Sequence, residues 1–105
     1  MHIQVNTDRN IEGSSDLSRG VEAVVRSTLE RFTDRITRVE IHLSDQNSQK
    51  KAGTNDMRCL IEARLAGRQP ISVSHQAETL EKAVDGAVKQ LRRSIDSTLG
   101  RLGGR

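Results

Sequence analysis

Lys82, Lys89 and Arg93 are spaced so that, at about 100° per residue, their side chains would leave one side of a helix in nearly one direction, with only Gly86 falling among them. Arg92 stands beside Arg93 as a further cation, and Arg19 and Arg26, seven residues apart, share one side of an earlier helical segment that Glu30 dilutes. Cations grouped in this way can contact an extended anion, of which a phosphate backbone is the commonest, although a solvated helix face uses the same residues. The charge is unevenly placed: Met1–Asp56 holds 8 basic and 9 acidic residues, whereas Met57–Arg105 holds 9 and 5. The basic surplus therefore lies in the half that contains the main stripe, and the chain's isoelectric point is near 9.6.

The other reactive residue types do not cluster. His2, His42, Cys59 and His75 are far apart and lack the short paired spacings of a zinc site, so no metal ligand set is assigned. Cys59 reads as a small buried hydrophobe. A single cysteine cannot form an internal disulfide, which fits a cytoplasmic location. The carboxylates alternate with arginines, as in Asp34-Arg35 and Glu62-Ala63-Arg64, and form no acid–base pair. No glycine-rich phosphate loop opens a helix, so no enzyme, cofactor or small-molecule substrate is expected. The absence of Trp and Tyr argues against stacking on splayed bases and leaves phosphate and shape as what could be read. Neither a secretory leader nor a membrane-spanning segment is expected, since the first residues alternate and no apolar run reaches the needed length.

The elements that must position these cations can be placed by periodicity. Thr79–Leu102 is the longest helical pattern, with Leu80, Val84, Ala87, Val88, Leu91, Ile95 and Leu102 in one sector opposite the stripe. Leu17, Val21, Val24, Val25, Leu29 and Phe32 predict a first helix of about five turns, capped by Ser14 or Ser15. Polar and apolar residues alternate over His2–Thr7, Arg38–Ser44, Met57–Ala66 and from Ile71 to near His75, predicting four strands. Asp45–Asn55, with Lys50 and Lys51, reads as an exposed loop.

The order is β-α-β-β-β-α in one domain, residues 1–105. Three strands in succession imply antiparallel pairs, and the first, returning through a helix, can lie parallel to a neighbour. Both helices need their apolar stripes covered, so the expected fold is an α+β two-layer sandwich: a four-stranded, mostly antiparallel sheet with two helices side by side on one face. Arg19 and Arg26 would then share a side of the molecule with Lys82, Lys89 and Arg93.

This order, with Phe32-Thr33-Asp34-Arg35-Ile36 leading into the second strand and Ala83-Val84-Asp85-Gly86-Ala87-Val88-Lys89-Gln90-Leu91-Arg92-Arg93 in the last helix, resembles a known family. It is that of the short hibernation-promoting factor and ribosome-associated inhibitor A proteins, also called sigma-factor modulation proteins. The resemblance spans about Ile3 to Leu102 and implies a factor that sits on the small ribosomal subunit and idles translation, touching ribosomal RNA through basic residues of the two helices. On that reading the RNA-contacting residues are Arg19, Arg26, Lys82, Lys89, Arg92 and Arg93. Arg19 and Arg93 match basic family positions, and Lys89 lies one residue from a family lysine position held here by Gln90. Thr28 stands where relatives often carry lysine, and after Arg93 the lysine-rich family stretch is replaced by Ser94, Asp96, Ser97 and Thr98. The second, dimerising domain of long relatives is not expected, and a monomer is favoured. The competing reading is a protein-docking module that uses the outward sheet face of Gln4, Asn6, Arg38, Glu40, His42, Arg58, Glu62 and Arg64, or an edge strand.

Overall fold

The computed structural model describes residues 1–9, 11, 15–46 and 56–102, with 101 and 102 described as helix backbone only. Its elements are β1 (His2–Thr7), α1 (Ser15–Thr28), a 3-10 turn (Glu30–Phe32), β2 (Ile36–Asp45), β3 (Met57–Leu65), β4 (Ile71–Ala77) and α2 (Leu80–Leu102). The sheet runs β1-β2-β3-β4, with β1 parallel to β2 and both remaining pairs antiparallel. Helix α2 lies across β3 and β4, while α1 lies beside it against β1. This is the two-layer α+β sandwich that the periodicity predicts.

Alternation explains the inner layer. Register places Val39 beside Ala63, Ile41 beside Ile61 and Leu43 beside Cys59, and all six are buried. Ile36 reaches the same layer although it is three residues from Val39, because the β2–β3 register slips between Ile36 and Arg38. Thr37 is the extra residue of that bulge, and its Oγ1 donates to the Arg64 carbonyl at 3.2 Å. From above, α2 contributes Ala83, Val84, Ala87, Val88, Leu91 and Ile95, and α1 contributes Val21 and Val25. Two tight places set the connections. Gly67 adopts φ +73° in the β3–β4 turn, which is closed by Arg68 N–H to the Leu65 carbonyl at 3.1 Å. Gly86 lets the backbone of α2 settle directly onto the His75 ring of β4, where a methyl group would overlap the imidazole.

The structure corrects the expected first helix. It ends at Thr28, and the chain tightens into successive turns: Phe32 N–H bonds the Leu29 carbonyl at 2.9 Å, Thr33 N–H that of Glu30 at 3.2 Å and Arg35 N–H that of Phe32 at 2.8 Å. Thr33 Oγ1 also donates to the Glu30 carbonyl at 2.8 Å, a local bond that competes with helix continuation. Leu29 and Phe32 are thereby buried while the chain reverses into β2. Val24, expected in the apolar sector, is instead exposed, because α1 meets the core along Val21 and Val25. Ile11 was not anticipated in the core, yet it is buried, drawn in by its N–H bond to the Asp8 carbonyl at 3.2 Å. Strands β2 and β4 extend to Asp45 and Ala77, beyond the expected Ser44 and His75. Ser14, Lys50, Lys51 and the Leu102 side chain lie outside the described residues.

Candidate nucleic-acid interface

Thr79 starts α2. Its Oγ1 accepts the Lys82 N–H at 3.1 Å, and its carbonyl accepts the Ala83 N–H at 3.0 Å, an N-cap that fixes which way the following turns face. With Ala83, Ala87, Leu91 and Ile95 pinned inward, Lys82, Lys89 and Arg93 must face outward, and all three are exposed, as is Arg92 one step round the helix. Lys82 lies 3.9 Å from Glu78, just before the helix, and Lys89 lies 3.1 Å from Asp85, one turn back along it. Among the described residues Arg92 and Arg93 have no ion-pair partner. Arg93 borders a shallow groove against β4, shared with Gln90, Ser94, Ser97 and Thr98 over Ile71 and Val73. Ser94, Ser97 and Thr98 thus place hydroxyl groups around this arginine. Asp96, the acidic departure, turns the other way and meets Arg31 at 3.7 Å, while the Arg31 guanidinium sits 5.2 Å from the Phe32 ring centre.

On α1, Arg19 pairs with Asp16 and Arg26 with Glu22 at 2.9 Å. Both arginines are exposed and, at 100° per residue, sit on the side of α1 opposite Leu17 and Val24. Leu17 and Val24 line the space between the helices, together with Asp16 from α1 and Glu81, Lys82 and Asp85 from α2. The two basic stripes therefore share the helical layer but are set apart by an apolar groove carrying three carboxylates. All these ion pairs are solvent-exposed, where such contacts are worth about 0–1 kcal/mol and yield readily to a phosphate.

The open sheet face differs. Arg38 Nε meets Glu40 Oε2 at 2.7 Å, the same guanidinium donates to Gln4 Oε1 at 2.6 Å, and Gln4 Nε2 donates to Asn6 Oδ1 at 3.1 Å. The hydrogen bond from Arg38 holds the Glu40 carboxyl below its ordinary value, against a smaller opposing effect of desolvation. His42 lies 3.7 Å from Glu40. His2 and His42 are on this outer face, whereas Cys59 is buried and His75 half-buried on the inner one. Burial pushes the Cys59 thiol up to about 12, far from a reactive thiolate. Among the described residues no helix is long and apolar enough to cross a membrane.

Fold and surface together define a small α+β domain with a basic helical layer. Residues 4–102 match the family model of sigma 54 modulation protein / S30EA ribosomal protein, and the chain belongs to that family. Its fold recurs in the crystal structure of the Thermus thermophilus Protein Y N-terminal domain, with a TM-score of 0.74 and 22% identity, covering 93% of this chain and 99% of that one. It recurs also in a ribosomal subunit interface protein from Coxiella burnetii, with a TM-score of 0.70 and 18% identity, covering 95% and 99%. No curated protein matches the chain.

Proposed function

We propose that this protein is a cytoplasmic, non-enzymatic factor that binds the small ribosomal subunit with the outer sides of α2 and α1 and holds translation idle. Membership of a ribosome-associated modulation family supports the ribosome as partner. The observation that carries the choice of surface is the Lys82–Lys89–Arg93 stripe, held outward by the buried side of α2 and ending in arginines without ion-pair partners among the described residues. Arg93 and Arg92 would take phosphates first. Lys89, Lys82, Arg26 and Arg19 would exchange a neighbouring carboxylate for a phosphate, an exchange that costs little at an exposed site. In this account the domain, residues 1–105, binds as a monomer and without a bound cofactor.

Docking of a protein partner on the open sheet is less well supported. Arg38, Glu40 and Gln4 already satisfy one another there, and among the described residues no large hydrophobic on that face is exposed. The test is co-sedimentation with purified small subunits, followed by translation in an extract. Lys89→Glu with Arg93→Glu should weaken binding at least tenfold, about 1.4 kcal/mol, and relieve inhibition, whereas Lys50→Glu with Lys51→Glu should do much less. Intact co-sedimentation of the helix double variant at physiological salt would refute the assignment.

A further inference from the structure

We infer that the groove between α1 and α2 takes a short, basic protein segment bearing an apolar side chain, an inference that rests on the ribosome-binding reading above and adds a second kind of contact to it. The groove has a volume of about 640 Å³ and is walled by Leu17, Val21 and Val24 of α1 and Leu80 and Val84 of α2, within the roughly 300–1,000 Å³ range of ligand sites. Val24 is 42% exposed and is the only large hydrophobic left open among the described residues. The helix has no side chain at Gly20, which borders the groove and has nothing within 4 Å of the position a Cβ would take. The slot is therefore open at Val24 and Gly20, over a floor of half-buried Leu17 and Leu80 and buried Val21 and Val84.

Charge decides the occupant. Asp16, Glu81 and Asp85 stand on the rim against the single cation Lys82. Two of these carboxylates lean on a basic neighbour along their own helix, Asp16 on Arg19 and Asp85 on Lys89, but both pairs are exposed and easily exchanged. Glu81 has no ion-pair partner among the described residues. A phosphodiester would meet net repulsion here, so the RNA that suits the outer stripes does not suit the groove. A leucine-, isoleucine- or valine-bearing segment flanked by lysine or arginine would cover the apolar wall and neutralise the rim together. Chains of that composition accompany ribosomal RNA, since cationic segments are what neutralise its phosphates. The helical layer thus presents cations for RNA on its outer sides and an acidic, apolar slot for protein along its middle.

The test uses the full chain bound to purified small subunits, with the photo-reactive residue p-benzoylphenylalanine at position 24 in place of Val24. The expected product is a crosslink to a ribosomal protein, at an apolar residue with lysine or arginine beside it. Crosslinks to ribosomal RNA or to a second copy of this chain, or no crosslink from bound protein, would overturn the inference. Glu81→Lys and Gly20→Met, each shown to be folded by circular dichroism melting, supply a second readout. The first reverses the rim and the second fills the slot without changing charge. Both should weaken subunit binding at least threefold; if RNA lay in the groove, Glu81→Lys would tighten it. Wild-type binding matched by both variants removes the groove and leaves the ribosome reading intact, whereas failure of the wild type to bind subunits removes both.

Discussion

The two helices lie side by side in one layer and are built to different standards. Helix α2 has 23 residues and buries Ala83, Val84, Ala87, Val88, Leu91 and Ile95, with a glycine at its closest approach to the sheet. Helix α1 has 14 residues, buries only Val21 and Val25, and leaves Val24 open. Their cations differ in the same sense: Arg19 and Arg26 are both paired within α1, while α2 carries Arg92 and Arg93, which have no ion-pair partner among the described residues. A helix anchored from Ala83 to Ile95 can hold a stripe of side chains in register against a large partner. One held by two valines and a 3-10 turn can serve as a wall, and that is how α1 is used along the groove.

The largest effect that would sharpen this contrast is on stability. Leu91→Ala, which empties a fully buried site on α2, should cost about 2–5 kcal/mol in urea unfolding. Val21→Ala on α1 should cost roughly 1.5 kcal/mol, from about 0.8 kcal/mol per buried carbon removed. Equal losses would mean that the helices are anchored alike. Next comes the close approach at Gly86. Gly86→Ala should destabilise by about 1–3 kcal/mol through overlap with His75, and His75→Ala in that background should recover most of it. Additive losses would show that the ring is not what limits the site.

Smaller differences are expected in binding. Arg19→Glu with Arg26→Glu should weaken subunit binding by only a few-fold, against at least tenfold for the α2 pair, because both α1 cations carry a carboxylate neighbour whereas only Lys89 of the α2 pair does. The reverse ranking would make α1 the main RNA surface. The smallest effect concerns the open sheet. Glu40 is held below its ordinary 4.5 by the bond from Arg38, so its contribution is present above the unfolded value and is lost as pH falls through the lower folded one. Glu40→Gln should lower the melting temperature slightly near neutrality, where that contribution is present, and leave it unchanged in acid below the folded value, so that the variant's acid-side decline is slightly shallower.

Much of this was legible in the sequence because period alone carries it. The inward alternation of Val39, Ile41 and Leu43 and of Cys59, Ile61 and Leu65, and the 3.6-residue recurrence of Val84, Val88, Leu91 and Ile95, each allow one common core. What escaped depends on contacts between distant segments. Leu29 and Phe32 keep a helical spacing in a 3-10 turn, since both geometries place residues three apart on nearly one side. Val24 has the same residue type as Val21 and Val25, and only the position of α2 decides which valine stays open. Ile11 sits alone in a polar stretch, and no periodic signal marks it. The outer stripe of α2 could be read from spacing, whereas the carboxylates that separate it from Arg19 and Arg26 come from two helices and meet only in the folded chain.

The salt dependence of small-subunit binding tests the central claim most directly, because phosphate contacts release counterions in proportion to their number. Four or five contacts on the helical layer predict a slope of log K against log salt of roughly −3 to −4, flattened by roughly one unit for each of Lys89→Ala and Arg93→Ala. A slope near zero, or one that is unchanged by these α2 replacements but flattened by Arg58→Ala or Arg64→Ala on the open sheet, would contradict the account.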